Sequence, residues 1–450
     1  MTHTMGNIKF KSYSNHNYRK IPQMSLLSEE EKFIIDVVGA VLPFKVNNYV
    51  IDELIDWDNF STDPIYILTF PQKGMLSEEH FAKVADLMKV GASKAQIKEV
   101  TDEIRLQLNP APAGQTSNVP EVNGHKLPGV QHKYRETMLF FPQQGQTCHA
   151  YCTFCFRWPQ FTQMDEMKFA MKEIELVVEY LKQHTEISDF LFTGGDPMVM
   201  KSKIFGAYVD ALLDADIPHL KTIRIGTKSL AYWPYRYTHD EDAPELLATI
   251  KKAVDKGIHV SFMGHFNHHA ELKTQAVRDA IKAIQSTGAI IRTQSPVMRN
   301  INADADVWAT MWRKQVDLGL IPYYMFLARD TGAQEYFSVP LVEAWDIFRE
   351  AYKKVSGIVR TVKGPSMSSN PGKIQILGVV KIHGKKYFNL QFVQGRNPDW
   401  VGRPFFAKYD EKAIWIDDLY PALGEEEFFF EEFLNRKNIV ADEIISNIED

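Results

Sequence analysis

The sequence predicts an α/β protein built around an incomplete (β/α)6 barrel, and three observations support this prediction. Six short apolar segments, each typical of a buried strand, recur in the middle of the chain. Amphipathic helical patterns separate them, which favours right-handed βαβ units and a parallel sheet. Polar residues or glycines follow each segment, as expected where the carboxyl ends of barrel strands build a site. Six strands are too few for a closed eight-stranded barrel, so we expect an open arc. The predicted strands are 137–142, 189–193, 222–226, 259–263, 289–293 and 323–327.

Helix and loop signals divide the rest of the chain. Ser28, followed by Glu31, has the spacing of a capping box and predicts the start of the first helix. A stretch rich in Pro, Gly and Ser after residue 108 predicts a connection to the barrel. The predicted segments are a poorly ordered N-terminus (1–27), a helical segment (28–108), a linker (109–131), the barrel (132–356) and a C-terminal segment (357–450).

Further elements are predicted inside these segments. The C-terminal segment is expected to begin with a flexible loop at 364–373 and to end with a helix at 425–432. Its predicted strands are 374–382, 386–392, 405–409 and 413–416. The other predicted helices are 78–90 and 93–107 near the N-terminus, and 169–183, 244–256, 276–287 and 339–354 in the barrel.

Composition limits the classes of partner. The 450 residues are 45% hydrophobic and 24% charged, as in an ordinary globular protein, and the net charge is −6. This charge argues against a nucleic-acid partner held by bulk basicity. No apolar run approaches the roughly 20 residues that span a bilayer, so we expect no membrane partner. Polar residues follow Met1 without an apolar signal-peptide core, and we expect a cytoplasmic protein.

All three cysteines of the chain, Cys148, Cys152 and Cys155, fall in one C-x3-C-x2-C motif. A structural zinc ion and an ordinary [4Fe–4S] cluster each take four protein ligands. Three thiolates would leave one iron of a cubane open to a small molecule, so the motif predicts a reactive site. Two alternatives remain: three unrelated buried thiols, or a Cys3His zinc site completed by His149 or another histidine.

The cysteine spacing, with Phe154 before the last cysteine, resembles that of the radical S-adenosylmethionine (SAM) superfamily. The resemblance implies a [4Fe–4S] cluster whose open iron binds SAM. Gly194, Gly195 and Asp196 follow the second predicted strand and resemble the glycine motif with which that superfamily binds SAM. Two glycines let a ligand approach the backbone, although Gly-Gly-Asp is also found in ordinary turns.

An ordered series of motifs narrows the resemblance to one family. Between about residue 40 and residue 400, the sequence is similar to the lysine 2,3-aminomutase family of radical SAM enzymes. The resemblance implies an isomerase that uses SAM and pyridoxal phosphate (PLP) to move an α-amino group to the neighbouring carbon through a 5′-deoxyadenosyl radical. It also implies that the C-terminal segment binds and covers PLP. The motifs lie at 148–157, 191–196, 224–227, 265–268, 294–295 and 370–373.

The same resemblance implies roles for residues that would hold PLP and the substrate. Lys373 matches the family lysine that binds PLP, and Arg157 matches the arginine that holds the substrate carboxylate. Lys133, Tyr134 and Arg135 resemble the basic stretch beside the PLP phosphate. Each of these residues could instead be a solvated surface residue or a member of a structural ion pair.

Substrate identity is left open by the sequence. Asp330 matches one of two aspartates that hold the substrate ammonium in the lysine enzymes, whereas Ser366 stands where the family has the second. A buried ammonium needs charged partners, so the substrate could be lysine or another amino acid. His265, Asn267 and Gln294 lie where the family positions SAM, or they could be hydrogen-bonded core residues.

The same family resemblance leads to expectations about binding partners and subunit assembly. We expect an amino-acid substrate and an electron donor resembling flavodoxin or ferredoxin, and the N-terminal helices could join two subunits in a homodimer. The lysine enzymes join subunits through zinc bound by additional cysteines, and this chain has Asp304 at one such place. A zinc-linked tetramer is therefore not expected. Two other functions remain open: a radical SAM enzyme of another reaction type without PLP, and a non-catalytic Fe–S or zinc protein.

Overall fold

The computed structural model describes residues 8–109, 118–162 and 169–431. These ranges form a protein with helices packed around one large mixed sheet. The strands are β1 (Ser12–Ser14), β2 (Lys45–Asn47), β3 (Glu121–Val122), β4 (His125–Lys126), β5 (Val130–Tyr134), β6 (Thr137–Phe140), β7 (Asp189–Phe192), β8 (Thr222–Thr227), β9 (His259–His265), β10 (Ile290–Val297), β11 (Ile321–Leu327), β12 (Lys363–Ser368), β13 (Gly372–Ile382), β14 (Lys385–Gly395) and β15 (Pro404–Lys408). The helices are α1 (Glu29–Val41), α2 (Pro64–Thr69), α3 (Glu78–Lys89), α4 (Lys94–Gln107), α5 (Ile174–Gln183), α6 (Ser202–Asp214), α7 (Ser229–Tyr232), α8 (Ala243–Asp255), α9 (Gln275–Gln285), α10 (Ala305–Asp317), α11 (Gln334–Phe337) and α12 (Leu341–Lys353).

Strands β5 to β15 form a single sheet in which spatial order follows chain order. Neighbouring strands from β6 to β12 are parallel, whereas β5 pairs antiparallel with β6. Strands β13, β14 and β15 continue the sheet as antiparallel neighbours. The six predicted barrel strands correspond to β6–β11, which confirms the α/β class and the parallel pairing. That these strands form an incomplete barrel remains a prediction.

Helices pack on the sheet because their apolar residues recur at helical spacing. Helix α9 shows the pattern: Thr274 caps its N-terminus by accepting the N–H of Val277, and four apolar side chains face the core. The buried positions of α9 are Val277, Ala280, Ile281 and Ile284. The connections between parallel strands therefore run through amphipathic helices, as the βαβ pattern predicted.

The structure adds a seventh parallel strand where the sequence predicted a flexible loop. Strand β12 pairs parallel with β11 and antiparallel with β13, so its backbone groups are hydrogen-bonded on both sides. Ser366 and Met367, within this strand, are fully buried. The prediction was wrong for 364–368 and 372–373, because Gly, Pro and Ser are typical of loops, whereas neighbouring strands impose extended structure here. Residues 369–371 do connect β12 to β13.

The N-terminal segment is mainly helical, as predicted, and the capping box between Ser28 and Glu31 at the start of α1 is confirmed. Residues 8–27, expected to be poorly ordered, are instead packed against this segment. Strand β1 pairs with β2, and Tyr18 is fully buried with its hydroxyl donating to a carboxylate oxygen of Asp36 at 2.8 Å. An aromatic ring buried with a satisfied hydroxyl stabilises this part of the chain.

Three of the four strands predicted in the C-terminal segment correspond to β13, β14 and β15. The fourth, at 413–416, is not a strand, because Asp418 accepts the N–H groups of Ile414 and Trp415 and makes a turn. The predicted helix at 425–432 is also wrong for residues 425–430, which form bends and turns around packed phenylalanines; residue 432 lies outside the described ranges. Residues 110–117 of the predicted linker also lie outside the described ranges.

Within the described ranges, no helix combines the length and apolar character needed to cross a bilayer.

Candidate active site

The three cysteines lie in a loop that follows the carboxyl end of β6. Each thiol is partly buried and forms no disulfide. The N-terminal segment holds this loop from outside the barrel strands: the N–H of Tyr151 donates to the carbonyl of Lys45 at 2.7 Å, and the N–H of Thr153 donates to that of Leu68 at 2.9 Å. The Lys45 ammonium also donates to the carbonyl of Cys148 at 2.7 Å. Contacts distant in sequence therefore hold the conformation of the cysteine loop.

Burial raises the pKa of all three thiols, that of Cys152 to about 12. A coordinating metal ion deprotonates a thiol outright, so a buried location is compatible with ligation. Three cysteines on one loop fit the thiolate chemistry of an iron–sulfur cluster. Across 8–109, 118–162 and 169–431, no three His, Cys, Asp or Glu side chains are grouped so as to hold one metal ion.

His149, considered above as a zinc ligand, is directed away from the cysteines. Its ring packs edge-on against Phe10 with centroids 5.7 Å apart. It lines a cavity of about 1170 Å³ that Arg236 and Asp240 also line and that none of the three cysteines lines. This placement favours a cysteine-only ligand set from the loop over one that includes His149.

Gly194, Gly195 and Asp196 follow β7 and pack against the residues that precede Cys148. Gly194 has φ +139°, and a Cβ on Gly195 would lie 2.5 Å from the carbonyl oxygen of Thr147. Both positions therefore require glycine, because the cysteine loop approaches so closely. The motif predicted to bind SAM thus lies beside the cysteine loop.

The carboxylate of Asp196 accepts hydrogen bonds from other groups of the protein. It accepts the N–H of Met198 at 2.9 Å, the hydroxyl of Thr227 at 2.8 Å and the N–H of Lys228 at 2.9 Å. Burial raises its pKa to about 6. These bonds join the end of β7 to the end of β8, so the structure gives Asp196 a positioning role.

His265 and Gln294 lie side by side at the carboxyl ends of β9 and β10, where their Cα atoms are register partners. The His265 ring stacks on Phe154 with centroids 5.6 Å apart, which places it next to the cysteine loop. Burial holds the pKa of His265 well below its usual range, so the ring is neutral. Asn267 is fully buried, and its amide bonds to His265 and Ser295.

A buried ion pair near the cysteines was not predicted. The Lys228 ammonium lies 2.7 Å from a carboxylate oxygen of Glu271, and Glu271 is fully buried. Lys228 also lies 4.4 Å from the ring centre of Tyr232, whose hydroxyl is 3.7 Å from the Cys152 sulfur. Lys228 could have been noticed because it directly follows a predicted strand, but no sequence signal pairs it with Glu271.

Lys373 lies on β13, and its ammonium donates to the side-chain oxygen of Gln394 at 2.9 Å. The same nitrogen lies 4.3 Å from the ring centre of Tyr324 and 5.5 Å from that of Phe326. Burial, together with the charge of Arg224, lowers the pKa of Lys373 to about 7. A lysine in such surroundings is largely neutral at pH 8 and can act as a nucleophile.

Lys133 and Tyr134 are close to Lys373, whereas Arg135 lies at the edge of the two cavities beside them. Burial lowers the pKa of Lys133 to about 7, with further contributions from Arg396, Arg329 and Lys373. The Arg135 side chain is 61% exposed and pairs with Glu136, so the structure gives it a solvated position at the rim.

Arg396 was missed by the sequence analysis. Its guanidinium donates to Asn370 and to the side-chain oxygen of Asn118, at 2.8 and 2.7 Å. With Lys133 and Tyr134 it lines a cavity of about 390 Å³. A second cavity, of about 410 Å³, is lined by residues that include Tyr134, Tyr324, Lys363 and Gln394. No motif marks Arg396, because only the antiparallel pairing of β13 with β14 brings it near Lys133.

Arg157 lies between the cysteine loop and the segment after β11. Its guanidinium carbon is 4.3 Å from the ring centre of Phe141, and its buried Nη1 has no hydrogen-bond partner among the described residues. Burial lowers its pKa to about 10. Asp330 lies nearby and contacts Arg329, with 3.4 Å between Nε and Oδ1. The hydroxyl of Ser366 is likewise buried and unpaired. Orphaned buried donors of this kind indicate a place for a ligand.

No family model matches the chain. A putative L-lysine 2,3-aminomutase of Aquifex aeolicus is 29% identical over 399 residues, which cover 89% of this chain and 93% of that protein. The L-lysine 2,3-aminomutase of Haemophilus influenzae is 28% identical over 57% of this chain and 72% of that protein. A solved structure, Streptococcus suis SuiB bound to S-adenosylmethionine, is 10% identical with a TM-score of 0.35 over 61% of this chain and 57% of that chain, too weak a likeness to support an argument. The sequence similarities support assignment of the chain to a lysine 2,3-aminomutase-like radical SAM family, as the cysteine motif and the motifs after it predicted.

Proposed function

We propose that the protein is a radical SAM, PLP-dependent aminomutase that moves the α-amino group of a free amino acid to the neighbouring carbon. The observation that carries this proposal is Lys373, a lysine of lowered pKa with aromatic and cationic neighbours. It lies on β13, in the same sheet as β6, the strand that leads into the three-cysteine loop. When bound, the cluster with SAM would supply a carbon radical and PLP would carry the migrating nitrogen, so the cofactors provide the difficult chemistry.

The residues around the cysteine loop fit an iron–sulfur cluster and SAM. Cys148, Cys152 and Cys155 would hold the cluster and leave one iron for SAM. Gly194 and Gly195 allow close approach to the backbone beside that loop. The neutral ring of His265 and the amide of Gln294 offer hydrogen bonds at neighbouring strand ends, and Asn267 would hold His265 in place.

The residues around Lys373 fit PLP. Lys373, largely neutral at pH 8, would hold PLP through its side-chain amine. Lys133 and Arg396 hydrogen-bond to neutral oxygens of Ser369, Asn370 and Asn118, so carboxylates do not cancel their charges in these contacts. Arg396 beside a cavity, together with Lys133, which a bound anion would keep protonated, suits a phosphate group.

Arg157 would hold the substrate carboxylate. Its orphaned Nη1 is a donor that the protein leaves unsatisfied, and burial next to Phe141 strengthens a charged hydrogen bond made there. A guanidinium can grip a carboxylate with two parallel bonds and so fix the orientation of the amino acid. The electron donor would resemble flavodoxin or ferredoxin, in a reducing, cytoplasmic setting.

The test is anaerobic reconstitution with iron, sulfide and PLP. We expect about four irons per chain, a PLP absorption band in the wild type and no such band in Lys373→Ala. Lys386→Ala is the matched control, because Lys386 is an exposed lysine on the adjacent strand that also contacts an aromatic ring. With SAM, a reductant and a mixture of amino acids, a β-amino acid should form.

Other results would favour the alternative functions. A four-iron protein that cleaves SAM but binds no PLP would be a radical SAM enzyme of another reaction type. One zinc per chain without sulfide would remove the catalytic proposal altogether.

A further inference from the structure

Arg329 is a second guanidinium in the site, and its position is defined by aromatic rings. Its guanidinium carbon lies 5.3 Å from the ring centre of Phe156 and 6.0 Å from that of Trp415. The side chain is 19% exposed. Its one polar contact among the described residues is with Asp330, at 3.4 Å, a distance too long for a strong charged hydrogen bond. Most of the hydrogen-bonding capacity of Arg329 is therefore available to a ligand.

Arg157 and Arg329 share the ring of Phe156. The guanidinium carbon of Arg157 is 5.2 Å from the same ring centre, so the two guanidiniums cannot lie farther apart than the sum of the two distances. Two guanidiniums on one aromatic ring, one with a buried nitrogen that has no hydrogen-bond partner among the described residues, are stabilised when anionic groups lie between or beside them.

The protein carboxylates near the two guanidiniums are poorly placed to bind a substrate with a cationic side chain. Ser366 contributes only a buried hydroxyl. Asp330 is already beside Arg329, and Asp417, which is near enough to feel the charge of Asp330, is exposed in a one-turn 3-10 helix at Ile416–Asp418. A substrate ammonium here would have to lie next to two guanidiniums with one shared carboxylate. The charge distribution therefore favours a substrate with an anionic side chain.

We infer that the substrate is a dicarboxylic amino acid, with its α-carboxylate bound by Arg157 and its distal carboxylate bound by Arg329. This inference rests on the proposed function and specifies its substrate class. The reaction would be an isomerisation: the C–N bond at carbon 2 breaks and one forms at carbon 3, while one hydrogen moves from carbon 3 to carbon 2. No atom or electron is gained or lost overall.

The test compares L-glutamate, L-glutamine and L-lysine with the reconstituted holoenzyme. Two readouts are used: formation of the 3-amino isomer, and the change that each amino acid causes in the PLP absorption band, which reports binding without turnover. We expect L-glutamate to bind most tightly and to be isomerised. Arg329→Gln should weaken L-glutamate binding about 10- to 100-fold, the effect of losing a charged hydrogen bond, and should leave L-glutamine binding unchanged.

Arg349→Gln is the matched control. Arg349 has the same local contacts, an acidic neighbour one residue later at 3.3 Å and a tryptophan ring at 5.8 Å, but it lies on the exposed surface of α12. We expect wild-type binding in this variant. A preference for L-lysine, or equal weakening of all three amino acids by Arg329→Gln, would overturn the inference. If no amino acid is isomerised although the PLP band responds selectively to L-glutamate, the proposed reaction fails and the dicarboxylate site stands.

Discussion

Replacing Glu271 with leucine should destabilise the protein strongly, because it removes the only carboxylate partner of a buried lysine within the described contacts. Glu271 is fully buried, and one of its oxygens lies 2.7 Å from the ammonium of Lys228. Its other oxygen accepts the N–H groups of Asn267 and His268, at 2.5 and 3.2 Å. Glu271→Leu therefore leaves one buried cation and two backbone donors without these acceptors.

The expected loss in the free energy of unfolding follows from these contacts. Breaking a buried ion pair by removing one partner costs about 3–5 kcal/mol, since the remaining charge stays in a poorly solvated place. The double variant Lys228→Met/Glu271→Leu has no unpaired charge. Its loss should come from the two amides, about 1–3 kcal/mol for each unsatisfied group, with a smaller loss from the His265 and Asn267 oxygens that also accept from Lys228. We therefore expect the double variant to be more stable than Glu271→Leu alone.

The assay is urea-induced unfolding of the metal-free chain, followed by circular dichroism and tryptophan fluorescence. Free energies are compared only if the two probes give coincident transitions, since a chain of this size can unfold in steps. Asp255→Asn is the control, because the Lys251–Asp255 pair is more than half exposed and should contribute at most about 0.5 kcal/mol. The reasoning is refuted if the double variant is less stable than Glu271→Leu, or if Glu271→Leu resembles Asp255→Asn.

Two further predictions follow from the site. The amount of PLP that borohydride traps on Lys373 should increase between pH 6 and pH 8 and then level off, because a lysine with a pKa of about 7 is already about nine-tenths neutral at pH 8. Lys373→Ala is the control. Trapping that still rises beyond pH 9 would contradict the lowered pKa. Gly195→Ala should lower iron affinity about tenfold, since its Cβ would lie 2.5 Å from the backbone of Thr147 and would displace the cysteine loop. Gly357→Ala meets no atom within 4 Å and should keep the wild-type iron content; equal iron in both variants would show that the loop can move without cost.

Local patterns were enough to predict the parallel strands and the first helix. Strands β6 to β11 were recognised because each is a short apolar run followed by polar residues, a composition typical of buried parallel strands. The capping box at Ser28 and Glu31 depends on residues three positions apart, so the sequence contains the whole interaction. The cysteine motif is equally local.

Strand β12 and the folded N-terminus could not be predicted in this way. The residues of β12 favour a loop, and their extended form depends on strands β11 and β13 on either side. The burial of Tyr18 depends on Asp36 and on the aromatic side chain of Phe44. In both places tertiary packing overrides a weak local preference.

The sequence by itself determined which segments form the parallel strands and that the three cysteines share one loop, because each of these features depends on neighbours within a few positions. Only the tertiary structure decided which charges meet. It paired Lys228 with Glu271, placed Arg396 beside Lys133, and brought Arg329 to the ring that Arg157 also contacts. The physical reason is that electrostatic interaction depends on distance and burial in space, and neither can be read from separation along the chain.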